Sequence, residues 1–179
     1  MSANEARMSE TAAGLRVAFD RTFSQATQTG IAAAEKLLAF RIGSHPYLVR
    51  LAELAGVFAN KRITWLPSHV PELLGLAGLR STVLPVYDLG MLLGSPRAAA
   101  SRWLLVTAST PVGFTFDDFD GYLSVRPEDI VPEIRAETRE RHVLEVVRAV
   151  DLARPLVSLA SVLESIQQWA SHGSSEKER

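Results

Sequence analysis

The stretch LLGLAGLRSTVLPVYDL, Leu73 to Leu89, decides how this chain is read. Two short apolar strands flank a polar break at Arg80-Ser81-Thr82, and Pro85 and Asp88 close the segment. A charged hairpin tip in an otherwise apolar ribbon is more often a recognition surface than a catalytic one. Pro85 has no N–H to give a ladder, which predicts an edge or bulged strand. Asp88 sits where the N-cap of a one-turn helix is expected.

Working outward, the same period of two recurs. Leu38, Phe40 and Ile42 fall on one side of a strand beginning at Lys36, and Gly43-Ser44-His45-Pro46 supplies a turn before Tyr47 to Leu51. Further short apolar runs stand at 63–66, 82–87, 103–108, 112–116, 121–125, 143–150 and 155–159. No helices are regularly interposed to make parallel crossovers, so the fold class expected is mostly β, barrels or a sandwich. Helix is expected at Asp88 to Leu93 and at Ala160 to Trp169. In the second, Val162, Leu163, Ile166 and Trp169 form a stripe and Ser161 and Glu164 stand at capping-box spacing. Leu15, Phe19 and Phe23 recur every four residues and predict an N-terminal amphipathic helix over about Ser9 to Thr27.

The Leu73 to Leu89 stretch resembles the CheW family, adaptors that couple bacterial chemoreceptors to the histidine kinase CheA. The family pattern is Gly-hydrophobic-x-x-Leu-Arg-Gly-x-x-x-Pro-hydrophobic-x-Asp-Leu. Gly75, Leu79, Arg80, Pro85, Asp88 and Leu89 match it, and Ser81 stands where the family has glycine. Leu51-Ala52-Glu53-Leu54 is similar to the family's Val-x-Glu-Ile strand. Ile63-Thr64-Trp65-Leu66-Pro67 and Gly113-Phe114-Thr115-Phe116-Asp117 are similar to two further family segments. The resemblance implies two intertwined five-stranded SH3-like barrels with a hydrophobic groove between them. The expected organisation is an N-terminal helical extension over 1–35, the two-barrel domain over 36–170 and a disordered polar tail over 171–179.

Composition removes competing classes. With 47% hydrophobic and 22% charged residues the chain has the make-up of a globular domain. Its net charge of −1 gives no long-range attraction to phosphate backbones or anionic lipid, which argues against nucleic acid and direct membrane insertion as partners. Cysteine is absent, so disulfides and thiolate metal sites are excluded. No long apolar run predicts secretion or a membrane span, and a cytoplasmic location is expected, with clustering at membrane receptor arrays implied by the resemblance.

Catalytic signals are missing too. His45, His69, His142 and His172 show no i, i+3 or i, i+4 pairing for a shared metal, and Asp117, Asp118 and Asp120 read as a solvated acidic turn. No nucleophile elbow, P-loop or dinucleotide fingerprint is present. No enzyme activity, cofactor or metal is therefore expected. Trp103 and Trp169 read as core, while Trp65, close to Pro67, is left open between core and surface.

The resemblance implies a bridge between a chemoreceptor's helical tip and the regulatory domain of a CheA-type kinase. Leu51, Glu53, Gly75 and Arg80 are the receptor-side candidates. In the family a glutamate aligned with Glu53 and an arginine aligned with Arg80 form a paired surface. Ser81 in place of glycine predicts an altered turn, because an L-residue in the left-handed region costs roughly 1–2 kcal/mol. Two alternatives remain: a divergent regulator of a specialised motility pathway that has lost one partner, and an unrelated β-barrel that binds a small ligand or nucleic acid.

Overall fold

The computed structural model describes residues 34–96, 101–133, 142–149 and 152–175. The expected N-terminal helix, with Leu15, Phe19 and Phe23, lies outside them. Among the described residues, twelve strands and two α-helices follow one another as two rounds of one plan. The first round is a hairpin, β1 (Glu35–Ile42) and β2 (His45–Arg50), then β3 (Leu54–Ala59) and β4 (Ile63–Trp65), a second hairpin, β5 (Leu73–Leu79) and β6 (Thr82–Asp88), and helix α1 (Leu89–Leu92). The second round repeats it: β7 (Trp103–Thr107), β8 (Gly113–Phe116), β9 (Asp118–Val125), β10 (Ile130–Pro132), β11 (Val143–Ala149), β12 (Leu152–Val157) and helix α2 (Leu159–Ser175).

The sheets exchange hairpins between the rounds. One sheet has the order β10-β11-β12-β2-β1-β9 and the other β3-β7-β8-β6-β5-β4, so each round's first hairpin pairs into the other round's sheet. That exchange is the physical content of the intertwining expected from the resemblance. Each sheet contains one parallel pair, β12 with β2 and β6 with β8, at equivalent places. In both, the two end strands are consecutive in the chain, β9 and β10 joined through a 3-10 turn and β3 and β4 through residues 60–62, so a short connection links the sheet's two ends. Counting each linked pair once reduces six strands to the five of an SH3-like barrel.

Burial follows this plan. Leu37, Ala39, Leu48, Val125, Val147 and Leu156 fill the first barrel, and Ala77, Leu84, Val86, Leu104 and Val106 fill the second. A third core lies between them. There Leu38, Phe40, Ile42, Tyr47 and Val49 from the first sheet meet Leu105, Phe114 and Phe116 from the second. The rings of Phe40 and Phe116 touch edge to face, 5.3 Å between centroids. Strand β1 thus buries both faces, which explains its unbroken LLAF run. Each such side chain contributes about 1.5–3 kcal/mol.

Helix α2 lays Leu159, Val162 and Leu163 on the shared core, with Ile166 and Trp169 beside them. It starts one residue earlier than expected, and its cap differs. Ser158, not Ser161, accepts the Ser161 N–H at 3.3 Å, while the Ser161 hydroxyl meets His142 Nδ1 at 3.1 Å. The helix also runs to Ser175, into the stretch expected to be a disordered tail. Asp88 caps α1 as expected, its Oδ1 accepting from the Met91 N–H at 3.2 Å.

Three local expectations are corrected. Pro85 lies in β6, an interior strand, and is tolerated because β6 meets β8 only from Val86 onward. Leu51 to Glu53 form a 3-10 turn, and the strand begins at Leu54. Asp118 and Asp120 belong to β9 rather than to a solvated turn, and both pair with Arg41, Asp120 at 2.9 Å. No helix among the described residues is long and apolar enough to cross a membrane.

Candidate functional site

The hairpin that decided the reading forms as a two-residue connection, Leu79 pairing with Thr82 across Arg80 and Ser81. A hairpin this tight needs positive φ, and the residue that supplies it is Arg80, at φ +54°. Ser81 and Gly78 do not, so the strain expected at Ser81 sits one residue earlier. Holding a long cationic side chain in the left-handed region costs roughly 1–2 kcal/mol, which the apolar ladder on either side sustains.

Arg80 is exposed and has no ion pair among the described residues. Beneath it opens a groove of about 270 Å3 at one end of the second barrel, walled by Phe58, Leu79, Leu84, Val106 and Pro111. Thr82 and Thr107 also line it, the buried Thr107 hydroxyl being held by the Thr110 and Val112 main chain. An apolar floor with a cation on its rim is suited to an apolar side chain that has an acidic neighbour.

Gly75 has a different part. At φ +145° it sits beside a bulge in β5, where β4 crosses close against it. A Cβ there would stand 2.1 Å from the Thr64 carbonyl oxygen and 2.9 Å from the Trp65 Cα. Only glycine allows the approach. Trp65, on the edge strand β4, is 72% exposed, so the open question about it resolves to surface. Trp103 and Trp169 pack against the shared core.

Leu51 and Glu53 lie on the 3-10 turn that carries the chain from the first sheet to the second. Leu51 packs on the shared core. Glu53 does not form the expected pair with Arg80 among the described residues. Its carboxylate faces the N–H groups of Leu159 and Ala160 at the start of α2, with the Arg50 guanidinium nearby. Burial pushes the Glu53 carboxyl above the usual carboxylate range, against the opposing pull of Arg50 and those two N–H groups; Glu145 adds to the rise. One oxygen, Oε2, is buried without a hydrogen-bond donor among the described residues. Arg50 itself bridges Glu35 on β1 and Glu145 on β11, the latter at 2.7 Å.

The structure therefore separates the four candidates. Arg80 borders the groove, Gly75 shapes the sheet behind it, and Leu51 and Glu53 join the two barrels to α2. Sequence reasoning missed Arg50 and His142, whose partners are distant in sequence. A basic residue three positions before an acidic one is too common a pattern to have flagged Arg50.

A CheW-like domain family model matches residues 36–167, which span both barrels and most of α2. The chain belongs to the CheW-like domain family. A probable chemotaxis protein CheW from Rhizobium etli is 30% identical over 122 residues, 65% of this chain and 78% of the relative. Chemotaxis protein CheW of Rhizobium meliloti is 28% identical over 141 residues, 75% of this chain and 91% of the relative. The crystal structure of a CheW scaffolding protein from Thermoanaerobacter tengcongensis superposes with a TM-score of 0.64, over 70% of this chain and 89% of that one. At 18% identity this likeness concerns the fold. The CheW-like membership displaces the reading of an unrelated small-ligand or nucleic-acid barrel.

Proposed function

We propose that this chain is a non-enzymatic, cytoplasmic chemosensory adaptor that joins a chemoreceptor's helical tip to the regulatory domain of a CheA-type histidine kinase. The observation that carries the reading is the family match over both exchanged barrels, 36–167. The groove beside Arg80 supports it with a matching chemistry. A helix lays an apolar side chain over Phe58 and Leu84, and a carboxylate one turn away meets the Arg80 guanidinium in a charge-assisted, bidentate pair. The receptor side then comprises Arg80 as the contact, with Leu51, Glu53 and Gly75 acting through the backbone and packing that hold the groove in shape.

Calorimetric titration of the purified protein with a receptor hairpin fragment, and separately with the kinase regulatory domain, tests the proposal. Saturable 1:1 binding of each is expected. Absence of both interactions would remove the adaptor reading, and loss of one alone would identify a specialised regulator.

A further inference from the structure

Glu53 is costly where it sits. A half-buried carboxylate with an orphaned oxygen is retained at the turn between the sheets, and its attachments explain what it holds. Its main-chain carbonyl accepts the Ala108 N–H at 2.8 Å, just beyond the end of β7. Its side chain faces the Leu159 and Ala160 N–H groups, two of the four that a helix leaves unmatched at its start. The first turn of α2 has no acidic residue of its own, so Glu53 supplies from another element an acceptor for N–H groups that the helix leaves open. Ala108 in turn lines the groove beside Arg80, together with Ala55 two residues beyond Glu53. The Glu53 side chain thus meets the start of α2, while the main chain of the same turn holds the end of β7 beside the groove wall.

We propose that Glu53 is a positioning residue whose side chain latches α2 to the crossover turn, and that the turn so held fixes, through its main-chain bond to Ala108 and through Ala55, the groove that Arg80 borders. It is not itself a partner contact. The part concerning the groove rests on the adaptor reading; the latch does not. The charged and titratable groups around it are Arg50 from β2, Glu145 from β11 and Glu35 from β1 held through Arg50. His142 faces the same first turn of α2 through Ser161.

Two variants of the full chain separate the possibilities. Glu53→Gln keeps an acceptor for the helix N–H groups and removes the charge, whereas Glu53→Ala removes both. Hydrogen exchange without any partner reads the latch: about tenfold faster exchange in the first turn of α2 is expected for Glu53→Ala, and near wild-type protection for Glu53→Gln. A folded-state carboxyl raised above its unfolded value contributes stability that is full at acid pH and is lost as pH rises through the raised value. Wild type should therefore lose stability relative to Glu53→Gln on going from acid to neutral pH, a trend that a fully solvated carboxylate would not give. Receptor-fragment affinity should fall about tenfold in Glu53→Ala, in step with the loss of protection, and recover in Glu53→Gln.

Unchanged α2 protection in Glu53→Ala would overturn the latch. Loss of affinity in Glu53→Gln with α2 intact would make Glu53 a direct contact and overturn the positioning role. If wild type binds no receptor fragment, the adaptor reading fails, while the exchange and pH measurements still decide the latch.

Discussion

Replacing Gly75 by alanine is the sharpest perturbation the sheet geometry offers. The new Cβ would lie 2.1 Å from the Thr64 oxygen, 2.8 Å from its carbonyl carbon and 2.9 Å from the Trp65 Cα, all main-chain atoms of β4 that no side-chain rotation can move. The backbone at φ +145° adds strain for any residue with a Cβ, about 1–3 kcal/mol. Overpacking contributes a similar amount, about 1–3 kcal/mol. The cheapest relief is to peel β4 away, which gives up its three paired residues and uncovers Ile63, packed against the second barrel's core. A loss of about 2–5 kcal/mol is expected, measured by urea unfolding with circular dichroism. Gly78 is the internal control. It lies in the same strand, has ordinary φ, and a Cβ there meets no atom within 4 Å. Gly78→Ala should be neutral or stabilising by up to about 1 kcal/mol. Equal stability of the two variants, or a Gly75→Ala loss under about 0.5 kcal/mol, would refute the close-approach argument.

Other outcomes follow from the same geometry. Arg80→Glu should weaken receptor-fragment binding about tenfold or more in calorimetry while leaving the melting temperature within a few degrees, because it reverses the charge of an exposed rim residue. Arg80→Gly should lose the same binding yet raise stability by roughly 1 kcal/mol in urea titrations, since glycine tolerates φ +54°. Removing residues 1–34 should leave a cooperative thermal transition, because the described residues from Leu37 onward already supply three buried clusters; a non-cooperative melt would contradict that.

The strands that alternate were legible in the sequence, because a period of two and Gly or Pro punctuation are local signals. The Leu73 to Leu89 hairpin and the Asp88 cap are of this kind. Short pieces such as Ile130–Pro132 are not, since three residues carry no periodicity. The exchange of hairpins between barrels was visible only through family resemblance. Nothing in β1 alone says that its partner is β9, about eighty residues away, although its double-faced apolar run marks it as buried on both sides.

The site divided along the same line. Arg80 was found because a charge at an apolar hairpin's tip is conspicuous locally. Glu53 was chosen for a pairing that the structure does not form. Its real partners, Arg50 and the start of α2, depend on how the crossover turn meets a helix that begins a hundred residues later. Ser81 misled for a subtler reason: a two-residue turn can place its positive φ on either residue, and here it falls on Arg80.

Bridging of receptor and kinase is tested most directly by sedimentation of the three purified components together. With this protein, a receptor hairpin fragment and the kinase regulatory domain at concentrations above their separate dissociation constants, a ternary species should appear, and Arg80→Glu should reduce it to the complex with the kinase domain alone. Only mutually exclusive binary complexes, or a ternary species that Arg80→Glu leaves intact, would contradict the account.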